Sequence, residues 1–282
     1  MQPTATTLRP LDPTDEADLR RLLTPAPAAN LFQLARLREH GLSSTDAPDT
    51  LRSWGAYRSR GLVAEVTTYN NSLALYCPDP TDLPALVEQV LSLRPSVVSG
   101  IREQVEPLVT ALGSTAVLGR DRCTLCAVGP DSELRFSLPN PNLPTPRLAV
   151  LSDIEMLVDF YQHNFYTLTQ LPNRLLWRQR LLNQLLKRDT MIIVVKGQVV
   201  AAAQCSAETE DHAMIGGVAT LNQQRGRGYA AACVAALCAH LLSKGVQRVC
   251  LFYLSSNEPA AALYRRLGFA PFGEWQICRL GL

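Results

Sequence analysis

The chain has 282 residues, a length that favours two domains of ordinary size over one compact core. Hydrophobic residues make up 47% of the chain and charged residues 18%, a composition that excludes a largely disordered protein. The 27 Lys and Arg residues exceed the 25 Asp and Glu residues by only two, so no overall positive field would attract nucleic acid or an anionic membrane.

The first residues, MQPTATTLRPLD, lack the basic segment and apolar run of a secretory signal, and no stretch reaches the length of a membrane span. We therefore expect a cytoplasmic protein without nucleic-acid or membrane partners. The eight cysteines are scattered through apolar stretches, which indicates buried free thiols. Cys123 and Cys126 form a CxxC pair, but no second pair completes a zinc site, so we expect no metal.

The first half of the chain predicts a strand near Leu8, two helices, a three-stranded meander from Trp54 to Cys77, and two further helices around the strand VVSGI. The four predicted helices are Thr14–Leu23, Ala28–His40, Asp82–Leu93 and Arg102–Leu112. A linker follows at Ser137–Pro146, where four prolines in ten residues prevent a helix and break strand pairing.

The second half repeats this order of elements. A strand at Arg147–Leu151, helices ending near Gln162 and Arg188, and a hairpin around Lys196-Gly197-Gln198 precede the strand Ala213–Thr220. An Ala-rich helix, the strand VQRVCLFYL, a shorter helix from Asn257 and a final strand pair through Phe269–Leu280 complete the half. We interpret the two halves as an ancient duplication.

The loop QQRGRGYA lies between the strand IGGVAT and the Ala-rich helix. Glycines let a backbone approach a ligand closely, and the unpaired N–H groups and dipole of a helix start favour phosphate oxygens. Arg225 and Arg227 add positive charge there. A solvated turn or an arginine-glycine RNA tail would explain a lone Gly-x-Gly, but such tails are repeated and disordered, whereas this segment occurs once before an apolar helix.

The second motif is NEPAAALYRRLGF. Helical spacing places Asn257 and Tyr264 on the face that packs toward the sheet. Taken alone, Asn257 is better explained as a helix N-cap and Tyr264 as a core residue with a satisfied hydroxyl.

Together these motifs resemble the GCN5-related N-acetyltransferase (GNAT) superfamily. Its phosphate motif is matched by Gln223, Gly226 and Gly228, and its later Asn and Tyr by Asn257 and Tyr264. The chain looks most similar to two-domain acetyltransferases related to the glycine N-acyltransferase-like branch, in which the first domain keeps the fold but usually loses the cofactor site.

The resemblance implies an α/β (α+β) protein of two tandem GNAT-like domains, each a mixed, mostly antiparallel sheet flanked by helices. Residues 1–136 would form the degenerate domain, 137–146 the linker and 147–282 the catalytic domain. The implied activity is N-acyl transfer from acetyl-coenzyme A, or another acyl-coenzyme A, to a primary amine.

By the same resemblance, the pantetheine arm of the cofactor would lie beside Val218 to Thr220 as an added strand. A backbone N–H near Val218 or Ala219 would bind the oxyanion of the tetrahedral intermediate. Tyr264 would be the catalytic residue that protonates the leaving thiolate. The residues expected to bind the cofactor are Val218, Ala219, Thr220, Arg225, Gly226, Arg227, Gly228, Tyr229, Ala230 and Asn257.

The general base is not identified, because the strand MIGGVAT carries no carboxylate where many relatives have a Glu. Glu208, Glu210, Asp211 and His212 precede that strand and are candidates, although such a cluster is more often an exposed hairpin tip. The acceptor wall is expected at His163–Tyr166. A small-molecule amine is favoured as acceptor over a protein, and a homodimer is compatible with the sequence.

In the first half, PDPTDLP replaces the glycine loop. It has no glycine, and Asp79 and Asp82 would repel a pyrophosphate, so we expect no cofactor there. Two other classes of function stay open: a non-catalytic acyl-coenzyme A sensor, and a structural partner in a larger complex.

Overall fold

The computed structural model describes residues 6–42, 51–59, 61–69, 71–129, 143–164 and 174–282, without the side chains of Ser114 and His163. The helices are α1 (Glu16–Leu23), α2 (Leu31–His40), α3 (Leu83–Leu93), α4 (Arg102–Leu112), α5 (Ile154–Asn164), α6 (Arg174–Lys187), α7 (Tyr229–Ser243) and α8 (Glu258–Arg266). The strands are β1 (Thr7–Pro10), β2 (Arg52–Arg58), β3 (Gly61–Tyr69), β4 (Ser72–Tyr76), β5 (Val97–Ile101), β6 (Val117–Val128), β7 (Arg147–Leu148), β8 (Thr190–Val195), β9 (Gln198–Glu208), β10 (His212–Thr220), β11 (Arg248–Leu254) and β12 (Ala270–Leu280).

The predicted fold class is confirmed: mostly antiparallel strands are flanked by helices, in an order that recurs in both halves. Two local predictions were wrong. The final strand pair is one strand, β12, and the strand at residues 147–151 ends at Leu148. A 3-10 turn at Leu151–Asp153 follows, in which the carboxylate of Asp153 accepts a hydrogen bond from the backbone N–H of Val150 at 2.8 Å.

The chain divides into two compact units whose composition does not follow the proline-rich segment. Among the described residues, unit 1 comprises those within 1–125, 253–256 and 272–282, and unit 2 comprises those within 126–252 and 257–271. Most of the predicted linker lies outside the described residues. From the sequence, we assigned residues 147–282 to the second domain, whereas the last strand lies in unit 1 from Phe272 onward.

Unit 1 has the strand order β1-β2-β3-β4-β5-β12, with most of β6 beside β12. β12 pairs antiparallel with β5, from Trp275 opposite Ile101 to Arg279 opposite Val97. Cys278 and Leu280 join the hydrophobic core of this unit. The last strand is therefore placed by the apolar side chains that it buries in unit 1.

Unit 2 has the order β11-β10-β9-β8-β7, in which only β10 and β11 are parallel. Helices α5 and α6 pack on this sheet through a cluster that includes Tyr161, Leu181 and Ala202. Helix α7 is buried along most of its length, which explains its Ala-rich composition. All eight cysteines are buried free thiols, as predicted.

A repeated ion pair supports the duplication. Arg9 and Asp15 form a bidentate pair at the start of the first half, with a closest distance of 2.6 Å. Arg147 and Asp153, with the same spacing in sequence, form the corresponding pair at 2.7 Å. In each case the guanidinium hydrogen bond is the main cause of a lowered carboxyl pKa.

A repeated β-bulge gives a second correspondence. In the β2–β3 hairpin the register shifts around Val63, and in the β8–β9 hairpin it shifts around Val200. Both valines are the third residue of their strand. Counting from these bulges aligns β3 with β9 residue by residue.

Candidate active site

Strand β10 is irregular at Gly216 and Gly217. Its register with β9 shifts between Gly216 and Ala219, and Gly217 has a φ of 57°, in the left-handed region that favours glycine. The hydroxyl of Tyr161 on α5 donates to the carbonyl of Gly217 at 2.9 Å. Burial raises the pKa of this hydroxyl, so it remains a neutral donor that holds the bulge in place.

Strands β10 and β11 separate beside this bulge. They pair in parallel over only four residues of each strand, from His212 opposite Arg248 to Ile215 opposite Leu251. Within the described residues, the edge of β10 that faces β11 has no partner strand from Gly216 to Thr220. Its backbone groups are therefore available to a ligand that binds as an added strand.

The glycine loop leads from this open edge into α7. Gly226 and Gly228 have φ values of 76° and 88°. A Cβ at Gly226 would meet no atom within 4 Å, so the backbone angle, and not lack of space, requires glycine there. Gly228 is the N-cap of α7 and offers no side-chain cap, while Arg225 and Arg227 are exposed. The loop thus combines unsatisfied helix N–H groups with positive charge.

Helix α8 carries the predicted Asn and Tyr. Asn257 is exposed and is the N-cap, since its Oδ1 accepts a hydrogen bond from the backbone N–H of Ala260 at 3.1 Å. Only its amide nitrogen is therefore left to donate to a ligand. Tyr264 is buried, with its ring edge-on to Phe269 and the centroids 5.9 Å apart.

The acidic cluster before β10 lies at the wrong end of the strand for a general base at the bulge. His212 is five residues from Gly217, about 17 Å along an extended strand. Lys244 pairs with Glu208 at 3.1 Å, and the ring of His212 bonds Asp211 at 2.9 Å, which lowers the pKa of that carboxyl. These residues form a hairpin tip, the structural alternative that the sequence left open.

Sequence reasoning missed two polar side chains on β9, Gln204 and Ser206. A Cβ added to Gly217 would lie 2.7 Å from Gln204 Oε1, and one added to Gly216 would collide with Ser206 Oγ. The available signal was the glycine pair itself, because glycine inside a strand often marks the close approach of a neighbour.

The expected acceptor wall is only partly described. The side-chain amide of Asn164 donates to the carbonyl of Phe160 at 2.8 Å at the end of α5. The side chain of His163 and all of Phe165 and Tyr166 lie outside the described residues.

The PDPTDLP segment of unit 1 has a different geometry from the glycine loop. Asp79 caps a 3-10 turn, with its carboxylate accepting from the N–H of Thr81 at 3.0 Å. Asp82 is buried and pairs with Arg58 at 2.8 Å. The expected repulsion of pyrophosphate by Asp82 is therefore weakened by Arg58, and the segment satisfies its own turn.

Two general properties of the described residues bear on function. They contain no group of three or more His, Cys, Asp or Glu side chains that could hold a metal ion. They also contain no helix that is both long and apolar enough to cross a membrane.

Comparison with known proteins relates this geometry to a family. Residues 154–269 match the family model described as the acetyltransferase (GNAT) family. A search of curated proteins gives no match.

Solved structures share the fold over nearly the whole chain. A GNAT-family acetyltransferase from Colwellia psychrerythraea is 15% identical, with 98% of this chain and 100% of that chain covered and a TM-score of 0.61. A GCN5-related N-acetyltransferase from Sphaerobacter thermophilus is 18% identical, with coverage of 99% and 96% and a TM-score of 0.64. A tandem GNAT protein from the clavulanic acid biosynthesis pathway is 11% identical, with coverage of 97% and 98% and a TM-score of 0.62.

These likenesses show a tandem fold of two similar parts, and the family model identifies the second part. Members of that family transfer an acyl group from acyl-coenzyme A. Residues 154–269 therefore form an acetyltransferase (GNAT) domain in the C-terminal half of the chain, and the remainder of the chain is related to the solved structures by fold.

Proposed function

We propose that the protein transfers an acetyl group from acetyl-coenzyme A to the primary amine of a small molecule. The observation that carries this proposal is the continuity of the open β10 edge with the glycine loop. An extended pantetheine arm beside Val218, Ala219 and Thr220 would lead directly to a pyrophosphate on the N–H groups of Arg225–Ala230. The side-chain amide of Asn257 would bond the arm from the other side.

The reaction needs no covalent enzyme intermediate. The amine nitrogen attacks the thioester carbonyl carbon, a C–N bond forms, and the C–S bond breaks. A backbone N–H near Val218 or Ala219 stabilises the oxyanion, and the hydroxyl of Tyr264 gives the departing thiolate its proton. The attacking nitrogen loses a proton to water as the amide forms. Water then returns a proton to the tyrosinate and restores the hydroxyl of Tyr264.

Cofactor binding can be tested with a pair of matched variants. Gly226 and Gly197 both have a φ of 76°, and a Cβ at either would meet no atom within 4 Å. Gly226→Asp and Gly197→Asp therefore impose the same backbone strain, but only the first places a carboxylate in the loop. By calorimetry, we expect Gly226→Asp to weaken coenzyme A binding at least 10-fold and Gly197→Asp to leave it unchanged.

Unimpaired binding by Gly226→Asp would overturn the assignment of the loop. The same titration gives the stoichiometry, which we expect to be one per chain. Affinity should also fall as salt is added, because the contacts to phosphate are charge-assisted.

The activity is tested with amino acids, polyamines, aminoglycosides and peptides, assayed with acetyl-coenzyme A for release of free thiol. Turnover of a small amine supports the proposal. Coenzyme A binding without any turnover would favour an acyl-coenzyme A sensor, and absence of binding would favour a structural role. The eight free thiols agree with a reducing compartment, so we include a cytoplasmic location in the proposal.

A further inference from the structure

Two polar side chains occupy the space that the glycines of the β10 bulge leave open. The Oε1 atom of Gln204 lies over Gly217, and the Oγ atom of Ser206 lies over Gly216, so a Cβ at either glycine would displace them. Both side chains extend from β9 to β10 at the bulge, where the open edge of β10 begins. They are therefore close to the point at which the proposed acyl group would end.

These side chains face α5. Residues two apart on a strand share a face, and Ala202, two residues before Gln204, packs in the cluster that contains Tyr161 of α5. The alternate residues Ala203 and Cys205 are fully buried on the other face, whereas Gln204 and Ser206 are half-buried. The α5 side of β9 next to the bulge is thus polar and partly open.

The carboxylates of α5, which packs against this face of β9, are paired, since Glu155 and Asp159 both bind Arg174. Along β9 and the turn to β10, Glu208 and Asp211 are engaged at the hairpin tip by Lys244 and His212, and Glu210 is exposed in the turn itself. The Tyr161 hydroxyl donates to the backbone, and burial raises its pKa. No hydrogen bond joins the Gln204 or Ser206 side chain to another described residue, so both can bind a ligand.

We infer that Gln204 binds the acceptor, its Oε1 accepting a hydrogen bond from the attacking nitrogen while Ser206 completes the polar floor. This inference rests on the proposed function and deepens it. An amide oxygen orients an amine but cannot take its proton at neutral pH. The amine must therefore arrive with its lone pair free.

The acceptor class follows from this requirement. With a pKa near 8, about a quarter of α-amino groups are neutral at pH 7.5, against roughly one in a thousand alkyl amines with a pKa near 10.4. The amide of Gln204 does not offset this difference, because it cannot take a proton from the ammonium form of the amine. We infer that the protein acetylates amines of low pKa, such as α-amino groups, in preference to lysine-like amines.

The test compares glycinamide, which has an α-amino group, with Nα-acetyl-lysinamide, which has only an ε-amino group, at saturating acetyl-coenzyme A and pH 7.5. For the unaltered protein we expect kcat/KM to favour glycinamide by roughly 100-fold, from the neutral fractions. Gln204→Ala should raise KM for glycinamide roughly 3- to 10-fold, the usual effect of one lost hydrogen bond.

Gln204→Glu supplies the missing carboxylate. It should bring the two amines closer in kcat/KM and flatten the rise of kcat/KM between pH 6.5 and 8.5, because the new group can take the ammonium proton. The matched control is Gln198→Glu, at the exposed start of the same strand, which should change neither quantity. Coenzyme A affinity should be unchanged in all variants, which checks that unit 2 is folded.

Four outcomes would overturn the inference. Preference of the unaltered protein for Nα-acetyl-lysinamide, or failure to acetylate either probe, would contradict the acceptor class. Wild-type KM values and pH slopes in both Gln204 variants would show that Gln204 does not bind the acceptor, while amine turnover itself would still support the proposed function. Failure of the whole amine panel would overturn the proposed function, and this inference with it.

Discussion

Strands β3 and β9 align residue by residue when each is counted from its bulge, yet the side chains at the aligned positions have different surroundings in the two units. Thr67 of β3 aligns with Gln204 of β9, and their partners across the hairpin are Ser53 and Thr190. In unit 1 this position is closed by a buried hydrogen-bond network. In unit 2 it is half-buried and next to the bulge.

The network of unit 1 joins four buried residues. The hydroxyls of Ser53 and Thr67 lie 2.7 Å apart, Thr67 donates to Glu65 at 2.6 Å, and Gln33 of α2 donates to Glu65 at 3.1 Å. Every member is less than 5% exposed. Polar groups that satisfy one another in this way leave nothing for a ligand.

Unit 2 has Ala202 in place of Glu65, and the network is absent from the described residues. The hydroxyl of Thr190 is buried without a hydrogen-bond partner there, and Gln204 is directed toward Gly217. Strand β10 is bulged against β9, whereas β4 pairs with β3 without a register shift. The open, irregular strand is therefore a property of the unit that carries the family match.

The helices that follow the parallel strands, α4 after β5 in unit 1 and α8 after β11 in unit 2, also differ in the side chains that they offer to a ligand. Counting from the N-caps, Ile101 of unit 1 corresponds to Asn257 of unit 2, and Leu108 corresponds to Tyr264. Leu108 is fully buried in an apolar core. The two halves share a backbone arrangement, and they differ in which side chains are left to meet a ligand.

The largest expected effect concerns the strand that closes unit 1. Trp275 on β12 is buried against Phe32, so Trp275→Ala should lower the free energy of unfolding by about 3–5 kcal/mol. Phe272→Ala, at an exposed position of the same strand, is the control and should cost much less. Urea denaturation followed by circular dichroism measures both. A cost below about 1 kcal/mol for Trp275→Ala would show that β12 is not part of the unit 1 core.

The closed network should make unit 1 sensitive to pH. Burial raises the pKa of Glu65 from 4.5 to about 7, although hydrogen bonds from Thr67 and Gln33 oppose this. Because the folded pKa exceeds the unfolded one, the stability that Glu65 contributes is fully present below pH 4.5 and is lost as pH rises to about 7, by on the order of 3 kcal/mol.

Glu65→Gln should remove this loss. Denaturation at pH 5 and pH 8 measures it, with Glu103→Gln at an exposed position as the control. An equal pH dependence in Glu65→Gln and the unaltered protein would show that Glu65 is not the titrating group.

Substitution of Tyr264 tests whether a catalytic hydroxyl distinguishes unit 2 from unit 1. Tyr264→Phe keeps the ring and removes the hydroxyl, so kcat should fall roughly 100-fold, about 2.7 kcal/mol, with little change in acetyl-coenzyme A affinity. Leu108→Ala, at the corresponding position of unit 1, should lower stability without changing that affinity. If Tyr264→Phe lowers only thermal stability, Tyr264 is a core residue like Leu108 and another group supplies the proton.

The smallest expected effect concerns the edge of unit 1 that corresponds to the cofactor site. Strands β4 and β5 pair over only two residues each, and the backbone N–H of Cys77 just beyond β4 donates to Oε1 of Gln104 at 2.7 Å. Gln104→Ala should cost about 1 kcal/mol and create no second coenzyme A site, because the PDPTDLP turn still lacks glycine. A calorimetric stoichiometry near two in this variant would contradict the prediction that unit 1 binds no cofactor.

The sequence by itself determined the order of elements, the tandem fold and the GNAT motifs, because these depend on periodicity, turn residues and spacing along the chain. It also predicted the buried thiols from their apolar surroundings. The roles of Asn257 and Tyr264 stay predictions, since their observed cap and packing contacts agree with the structural alternatives as well as with function.

Only the tertiary structure decided which unit receives β12, because an apolar strand of this kind can complete either sheet and its place depends on where Trp275 and Leu280 are buried. It also placed the acidic cluster at a hairpin tip and brought Gln204 and Ser206 to the glycine bulge. Contacts between neighbouring strands depend on register, and bulges shift that register by a residue. The glycine pair of β10 indicates a close approach but does not identify the side chains that make it.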